Sequence, residues 1–466
     1  MEHFVGRRAE LNRLNGLLES VHQGGSTPGK AIALRGRRRV GKSRMVAEFV
    51  KQSKVPAVYF TAAHGTTDWE LRRFADEVSR STLPLKDMYQ PGQSWEDALR
   101  ALALILPRDS PSIVVLDEVP YLMREDRTFE GSLQAVWDRI LSQLPVLLIL
   151  VGSNRSEMER LSSYDRPFYM RGTEMELGPL SVNDVAQITG LSPADAIDAY
   201  LVTGGLPLIL SEWKKGTSVQ SFLKTAISNP LSALLVSGER AITAEIPAET
   251  NAPAILQSIG AGESSFTSIA DTVGLPSTTL TRSLDDLANR RLVVVDRPLS
   301  TSASKNTHYR IEDPYLRFWL TFLADQIPAI EAGRAAAVLD TVNKRWLAWR
   351  GKAVEPVIRD LLWRSRNLVP ESRIIGNWWK RNNSVEVDIV AGDRAPVAKT
   401  INYLGSIKWR DNAKFNATDL AELAAARATV PGAANAPMVA ISRSGFDVKA
   451  PELQTISPEQ LLTATA

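Results

Sequence analysis

The 466-residue sequence contains no cysteine and only four histidines. The first absence excludes disulfides and cysteine-based zinc sites, and His3, His22, His64 and His308 are too scattered along the chain to suggest a metal site. The longest strongly apolar run, Val146–Val151, is far shorter than the roughly 20 residues that cross a membrane. The first residues, MEHFVGRRAEL, show no apolar signal region. We therefore expect a cytoplasmic protein that has no membrane partner.

The sequence also lacks a strong net charge and any biased segment. Its formal charge is only +3, so attraction of the whole chain to nucleic acid is weak. Charge is concentrated locally, because residues 341–382 contain ten Lys or Arg against three Asp or Glu, together with five tryptophans. A length of 466 residues predicts about three domains.

The first 180 residues alternate short apolar runs with helical patterns. Continuous apolar runs are typical of strands that are covered by helices on both faces of a parallel sheet. This part of the sequence therefore predicts an α/β domain. Its predicted strands are Lys30–Arg35, Val55–Thr61, Ser112–Asp117, Val146–Gly152 and Glu174–Leu177.

A glycine-containing segment follows the first predicted strand. Gly36–Ser43 reads G-x-x-x-x-G-K-S, and a predicted helix, Arg44–Gln52, begins directly after it. Such glycines let backbone N–H groups curl around phosphate oxygens, and the helix N-terminus favours an anion there. Lys42 would place a positive charge on the β- and γ-phosphates, and Ser43 would bind magnesium. The segment predicts a nucleoside-triphosphate site.

Polar residues follow two further strands. Asp117 and Glu118 end the apolar run that starts at Ser112, where side chains can reach the phosphates. Asp117 would position magnesium, and Glu118 would act as the general base on the attacking water. Ser153 and Asn154 follow Val146–Gly152 and could bond the γ-phosphate or the water; the alternative is a simple turn after a buried strand.

Together these segments resemble the archaeal-type ATPase family in the STAND branch of AAA+-like proteins. Phe4–Leu11 is similar to the family's F-x-G-R-x-x-E-L start, which packs near the adenine, and Asp117–Leu122 to its D-E-x-x-x-L strand end. Pro167–Arg171 is similar to its P-L-Y-G-R segment, with Met170 in place of glycine. The resemblance makes Arg171 a candidate γ-phosphate sensor.

The resemblance extends to Gly204–Pro207, which is similar to the G-x-P element of STAND lids, where the proline lies against the nucleotide base. The alternative is a helix-breaking turn. The expected cofactors are ATP and Mg²⁺. The expected nucleotide-binding residues are Gly6, Arg7, Gly36, Arg37, Arg38, Arg39, Val40, Gly41, Lys42, Ser43, Arg44 and Pro207.

The resemblance also implies a domain order. A P-loop α/β domain with an AAA+/STAND-like parallel sheet would occupy residues 1–180, and a helical lid residues 181–250. A winged helix-turn-helix would occupy residues 251–313. An α/β domain that resembles PD-(D/E)XK nucleases would occupy residues 314–466.

The predicted winged helix gives a mixed signal for DNA. Its helices would be Ser264–Val273 and Ser277–Asn289, followed by a wing hairpin at Arg291–Ile311. The second helix carries Arg282, with Arg290 just beyond its end, but also two aspartates, and base-reading helices are usually more basic. A structural or protein-contact role is the favoured alternative.

The nuclease resemblance implies a metal site that is incomplete in this sequence. Glu355, Asp388 and Lys408 match the helix acid, the strand acid and the lysine of the fold. Ser406 stands where the family has glutamate. Glu386 lies two residues before Asp388, so it shares the same strand face and would partly compensate. We expect a degenerate site that binds without cleaving; an active nuclease is the alternative.

The basic, tryptophan-rich stretch precedes and enters this domain. Trp378 or Trp379 would stack on bases, and the basic side chains would contact phosphates. The alternative is that the tryptophans belong to the hydrophobic core and the charged residues form a solvated face. The candidate phosphate contacts are Arg345, Arg350, Lys352, Arg359, Arg364, Arg366, Lys380 and Arg381.

Three functions remain open. The first is an ATP-driven switch that acts on or near DNA or another nucleic acid. The second is a protein-interaction or chaperone-type ATPase with a protein partner or a second copy of itself. The third is an ATP-regulated nuclease.

Overall fold

The computed structural model describes residues 4–22, 28–161, 163–246, 250–365 and 367–465. One basic residue of the tryptophan-rich stretch, Arg366, lies outside these ranges. The chain divides into two compact units, the first ending at Leu180 and the second beginning at Ser181. Within the described ranges, no helix combines the length and the apolar character that crossing a membrane requires.

The first unit is built on a parallel sheet. Its strands are β1 (Lys30–Arg35), β2 (Ala57–Thr61), β3 (Ser112–Asp117), β4 (Val146–Gly152) and β5 (Thr173–Glu176). They lie in the order β2-β3-β4-β1-β5, and every neighbouring pair is parallel. The helices are α1 (Arg8–His22), α2 (Lys42–Ser53), α3 (Thr67–Arg80), α4 (Trp95–Ile105), α5 (Val119–Glu125), α6 (Phe129–Arg139) and α7 (Arg155–Leu161).

Helices cover both faces of this sheet, which explains the continuous apolar strands. On β2, Val58 and Phe60 enter the core that contains residues of α3, α4 and α6. Ala57 and Tyr59 alternate to the other face, whose core contains residues of α1 and α2. The predicted strands are confirmed with small shifts at two of them. β2 begins after Pro56, which lacks an N–H and gives only its carbonyl to the Ile113 amide.

The second unit begins with helices and ends with a mixed sheet. Its helices are α8 (Val182–Thr189), α9 (Pro193–Thr203), α10 (Pro207–Leu210), α11 (Val219–Ile227), α12 (Ala233–Glu245), α13 (Ala252–Ala261), α14 (Phe266–Val273), α15 (Ser277–Asn289), α16 (Pro314–Phe322), α17 (Ile327–Glu331), α18 (Ala335–Arg364), α19 (Ala417–Thr429) and α20 (Pro458–Ala464). Its strands are β6 (Val293–Asp296), β7 (His308–Ile311), β8 (Ile374–Trp379), β9 (Glu386–Gly392), β10 (Ile401–Lys408), β11 (Met438–Ser442) and β12 (Leu453–Ile456).

Sheet pairing separates a small hairpin from the C-terminal sheet. Strands β6 and β7 pair antiparallel after helices α14 and α15. The C-terminal sheet has the order β12-β11-β10-β9-β8, antiparallel from β8 to β10 and parallel from β10 to β12. The sequence did not predict β12 or α20.

The first helices of the second unit share a hydrophobic core with the C-terminal sheet. Ile197 and Leu201 of α9 are buried together with Ile358 of α18 and with Ile389 and Tyr403 of the sheet. The predicted boundaries at 250/251 and 313/314 therefore divide one packed body. As boundaries of evolutionary modules they stay predictions.

Candidate functional site

The loop between β1 and α2 has the backbone that its glycines predict. Gly41 caps α2 with a φ of 91°, in the left-handed region where glycine costs least. A Cβ on Gly36 would lie 2.3 Å from the carbonyl oxygen of Leu177, so any larger residue would displace the loop. Arg39 also adopts a positive φ of 68°. The loop is thus bent tightly around the N-terminus of α2.

Lys42 closes this bend. It is 6% exposed, and its Nζ donates to the carbonyl oxygens of Gly36 at 2.7 Å and Arg37 at 2.9 Å. Burial lowers the pKa of Lys42 to about 8, against the opposing charges of Glu118 and Asp117. The ammonium therefore stands at the centre of the loop, close to two acidic groups.

Asp117 is fixed at the carboxyl end of β3. It is 2% exposed, its Oδ1 accepts the Glu118 amide at 2.9 Å, and its Oδ2 accepts the Tyr59 hydroxyl at 2.9 Å. Burial, followed by the charge of Asp117, raises the pKa of Tyr59, so the phenol keeps its proton and donates. The carboxylate of Asp117 is held on both oxygens.

Glu118 contacts the end of the neighbouring strand. Its φ of 57° begins α5, and its Oε2 accepts the Ser153 hydroxyl at 2.9 Å and the Ser153 amide at 3.3 Å. Asn154 has a different role, because its Oδ1 accepts the Glu157 amide at 3.2 Å and caps α7. The structure thus brings Ser153 to Glu118, and a bond between Asn154 and the γ-phosphate or the water stays a prediction.

These groups surround a cavity of about 200 Å³. Five of the residues that line it belong to the phosphate loop and the start of α2, one is a further arginine of α2, and two are Glu118 and its hydroxyl partner Ser153. Its lining residues are Arg38, Arg39, Gly41, Lys42, Ser43, Arg44, Glu118 and Ser153.

The N-terminal motif supports the loop from behind. Arg7 is 4% exposed, and its guanidinium donates to the carbonyl oxygens of Val40 at 2.7 Å and Pro179 at 3.3 Å. Gly6 and Arg7 both have positive φ, 85° and 63°. The contact to Val40 makes Arg7 a brace of the phosphate loop; contact with adenine stays a prediction.

Two oxygen donors fit magnesium, one from Ser43, which lines the cavity, and one from Asp117, which precedes the lining residue Glu118. Mg²⁺ in proteins is bound by one or two carboxylate or hydroxyl oxygens together with substrate phosphates. The Ser43 hydroxyl and the buried Asp117 carboxylate are of this kind, and Tyr59 bonds Asp117 and lies 3.4 Å from the Ser43 carbonyl. Ser43 and Asp117 would hold the metal.

The structure places Arg171 away from the lining of this cavity. Its guanidinium forms a fork on Asp138, at 2.7 and 2.8 Å, and donates to the carbonyls of Pro167 and Tyr169. The planar fork of Arg171 is matched to a carboxylate in this structure, and its role as a γ-phosphate sensor stays a prediction. A sensor role would require that pair to break.

Pro207 belongs to the second unit, where it begins α10. Gly204 and Gly205 before it have φ of 57° and 69°, and a Cβ on Gly204 would lie 2.8 Å from Cβ of Tyr315. The glycines therefore make a helix-ending turn packed against Tyr315. The contact of Pro207 with a nucleotide stays a prediction.

In the second unit, three carboxylates converge. Oxygens of Glu355, Glu386 and Asp388 lie within 4.8 Å of one another. Burial, reinforced by the charge of Asp388, raises the pKa of Glu355 to about 7, and burial also raises the pKa of Asp388. The ammonium of Lys352, one helical turn before Glu355, lies 2.8 Å from Glu386 and 3.3 Å from Glu355.

The fourth nuclease-like residue, Lys408, departs from the expectation, whereas Ser406 lies beside Asp388 at the place of the missing acid. Lys408 does not join the carboxylates; it pairs with Glu422 at 3.3 Å and Asp419 at 3.4 Å on α19. Ser406 donates to Asp388 Oδ2 at 3.2 Å, next to the Ile407 amide at 2.7 Å. This donor set fits a divalent cation poorly, because a hydroxyl replaces an acid and the ammonium of Lys352 already pairs with two of the carboxylates.

Part of the basic, tryptophan-rich stretch is interior, because two of its arginines and both tryptophans that were expected to stack on bases are buried, and this corrects the nucleic-acid expectation for those residues. Trp378 and Trp379 are 8% and 4% exposed, and Trp379 stacks on His308 with centroids 4.3 Å apart, so neither is free to stack on a base. Arg350 is buried on Asp198, and Arg359 is buried with its guanidinium on the Asp388 carbonyl.

The remaining basic residues of the stretch are at the surface. Arg345, Lys380 and Arg381 are exposed, and Arg364 is exposed but paired with Asp360. On α15, Arg282 is exposed, and Arg290 pairs with Asp286 at 2.8 Å. The contacts of these exposed basic residues with nucleic acid stay a prediction.

The loop between β6 and β7 packs against the C-terminal sheet. Leu299 is 2% exposed in the core formed with Trp378 and Val390, and its amide donates to the Asn377 carbonyl at 2.9 Å. Ser300 accepts the Ala398 amide at 2.9 Å and pairs with Val397 in a parallel bridge. Sequence reasoning expected a wing here and missed its attachment.

Sequence reasoning also missed Tyr59 and Lys352. Both carry a local signal: Tyr59 is on the strand face that alternation gives to α2, and Lys352 is three residues before Glu355 on one helix face. Neither signal is specific to a site, because the acid that each residue bonds most closely lies in another segment: Asp117 for Tyr59 and Glu386 for Lys352.

Comparison with known proteins adds two families. Residues 4–213 match the family described as an ATPase domain predominantly from Archaea. Residues 319–420 match a family described as archaeal and bacterial proteins of unknown function. An uncharacterised protein of Methanocaldococcus jannaschii is 25% identical over 416 residues, which are 88% of each chain.

Two solved structures are similar over most of the chain. One is the Walker-type ATPase of Pyrococcus abyssi, with a TM-score of 0.49 and 19% identity over 68% of this chain and 96% of that one. The other is the ORC2 protein of Aeropyrum pernix, with a TM-score of 0.42 and 15% identity over 72% of this chain and 98% of that one. The family match over residues 4–213 includes the whole phosphate cavity, and the chain is an ATPase.

Proposed function

We propose that this ATPase is a magnesium-dependent cytoplasmic switch, in which ATP binding and hydrolysis change the conformation of nucleic-acid-associated modules in residues 181–466. One observation carries the proposal: the cavity unites the charge of Lys42, the hydroxyl of Ser43 and the Glu118–Ser153 pair. Cation, metal ligand and base are the components of phosphoryl transfer to water.

The residues of the cavity divide the work. Loop amides and Lys42 neutralise the triphosphate, and Ser43 and Asp117 hold the magnesium ion, which would spread the charge that develops on the phosphate oxygens. Glu118 accepts the proton of the attacking water. Ser153, bonded to Oε2 of Glu118, holds that carboxylate in place.

The nucleic-acid part of the proposal depends on the second unit. Helices α14 and α15 followed by the hairpin β6–β7 have the order of a winged helix-turn-helix. Arg282 on α15 and Lys380 and Arg381 after β8 are exposed positive groups. Because the loop of the hairpin is attached to the C-terminal sheet, contact with DNA would come from α15 and the exposed basic residues.

A nuclease is the second candidate, favoured by the convergence of Glu355, Glu386 and Asp388. The poor fit of this donor set to a divalent cation argues against cleavage. We therefore propose that the C-terminal domain contacts nucleic acid without cutting it.

The test is ATP turnover by the full chain with and without double-stranded DNA, at two salt and two protein concentrations. Lys42→Ala should abolish nucleotide binding, because the triphosphate loses its buried cation. Glu118→Gln should bind ATP with wild-type affinity and lose at least about 100-fold in turnover, because the base is absent. DNA should stimulate the wild type, less so at high salt.

The outcomes separate the candidates. Normal turnover by Glu118→Gln would contradict the base assignment. ATP turnover per molecule that rises with protein concentration and does not change when DNA is added would favour a protein-interaction ATPase. Mn²⁺-dependent cleavage of the DNA that is lost in Asp388→Ala would favour the nuclease.

A further inference from the structure

Tyr59 reaches the metal side of the ATPase site from the edge strand of the sheet. Strand β2 pairs in parallel with β3, so that Thr61 lies opposite Asp117. Alternation along β2 puts Tyr59 on the face covered by α2, where its ring packs against the core that contains Met45 and Phe49. Asp117 occupies the same face of β3, two residues beyond the buried Val115.

The hydroxyl of Tyr59 contacts both residues that are expected to hold magnesium, at the side chain of Asp117 and at the backbone carbonyl of Ser43. It donates to Oδ2 of Asp117 at 2.9 Å, and the carbonyl oxygen of Ser43 lies 3.4 Å from it as a second acceptor. Oδ1 of Asp117 already accepts the Glu118 amide. One bond on each oxygen fixes the plane of the carboxylate and leaves lone pairs for a metal or its water.

We infer that Tyr59 is a positioning residue for magnesium, which orients Asp117 and fixes its distance from the first turn of α2. The inference rests on the magnesium-dependent hydrolysis proposed above. Groups that hydrogen-bond a metal ligand orient it, and their loss typically weakens metal binding about 10–100-fold. The proposed role gives Tyr59 no contact with the phosphates or the attacking water, so its effect on magnesium binding passes through Asp117 alone.

The experiment measures magnesium and nucleotide binding separately. Binding of a fluorescent N-methylanthraniloyl ATP analogue is titrated in EDTA, and again over a series of free Mg²⁺ concentrations. Tyr59→Phe keeps the packed ring and removes one oxygen. The Mg²⁺ concentration for half-maximal effect should rise about ten-fold in this variant, whereas affinity in EDTA stays within about two-fold of wild type.

Tyr89→Phe is the matched control. Tyr89 is another half-buried tyrosine of the same unit, whose hydroxyl is 3.4 Å from the Ala98 carbonyl, and its loss should leave the Mg²⁺ dependence unchanged. A double-mutant cycle gives a second readout: in an Asp117→Asn background, Tyr59→Phe should cause no further shift. Thermal unfolding of each variant in EDTA checks that it is folded.

Three results would overturn the inference. They are an unchanged Mg²⁺ dependence in Tyr59→Phe, an equal loss of affinity with and without Mg²⁺, and additive shifts in the cycle. The second would mean that Tyr59 shapes the phosphate loop. If nucleotide binding by the wild type ignores Mg²⁺, the proposed function fails instead, so the two failures are distinguishable.

Discussion

Among single residues, Lys42 shows how burial sets the chemistry of a charge. Its ammonium is nearly enclosed by the loop carbonyls, and burial lowers its pKa from 10.5 to about 8. Between these values the unfolded chain binds more protons than the folded one, so this group makes the folding free energy more favourable as pH rises from 8 to 10.5. Below pH 8 both states are protonated and the contribution is constant.

Nucleotide binding should therefore take up protons near pH 8. The triphosphate stabilises the ammonium and raises the pKa of Lys42, so a site that is about half deprotonated regains roughly half a proton. Calorimetric titrations with ATP in two buffers of different ionisation enthalpy measure this uptake. It should fall towards zero at pH 6.5, which serves as the control; equal heats in both buffers at pH 8 would contradict the prediction.

How far the site could be predicted depends on how local its geometry is. Gly36, Gly41 and Lys42 belong to one loop, so the spacing of the motif alone was enough to predict that they lie together. Asp117 and Ser153 follow from the rule that parallel strands end at one edge. The contacts of Tyr59 and Lys352 depend on which strands and helices become neighbours. Arg171 pairs with Asp138, which lies 33 residues away in the chain, and spacing does not predict such a contact.

Among the elements, the β6–β7 hairpin differs most from its sequence expectation. The strands form as predicted, but the loop adds Leu299 to a core of the C-terminal sheet. Gly432 fits closely against it, since a Cβ there would lie 2.3 Å from the methyl group of Thr301. Periodicity predicts strands and helices; it carries no information about where an extended polar loop docks.

Leu299→Ala should destabilise the second unit by about 2–5 kcal/mol, because it removes a fully buried side chain from a packed core. The freed loop should also become sensitive to proteases between β6 and β7. Chemical denaturation and limited proteolysis measure the two effects. Leu347→Ala, at a position that is 59% exposed, is the control and should change stability by less than about 0.5 kcal/mol. Equal effects of both substitutions would contradict the docking of the loop.

At the scale of the whole molecule, a buried ionic network connects distant segments of the second unit. Asp198 on α9 is 2% exposed and accepts Arg350 at 2.9 Å, Arg443 at 3.0 Å and the Trp409 indole at 2.7 Å. Arg350 also contacts Asp411 at 2.7 Å. Helix α9, the middle of α18 and the end of the C-terminal sheet strands are thus joined by charge as well as by the apolar core.

Asp198→Ala should cost about 3–5 kcal/mol of stability, because Arg350 would lose its buried counter-charge and keep only Asp411, whose side chain is 40% exposed. Asp195→Ala is the control on the same helix: this residue also contacts Arg443, but its side chain is 44% exposed, so its loss should cost no more than about 1 kcal/mol. Thermal and urea unfolding measure both. A smaller loss for Asp198 than for Asp195 would contradict the network's role.

The attachment of Leu299 also decides how the protein can be divided for experiments. A fragment that starts at residue 314 would lack Leu299, which fills the core of the sheet in that fragment. A fragment that stops at residue 313 would expose Leu299 to water. Both would invite aggregation, whatever their individual activity. Recombinant pieces for binding or crystallisation are better begun at Ser181, where the chain passes from one compact unit to the next.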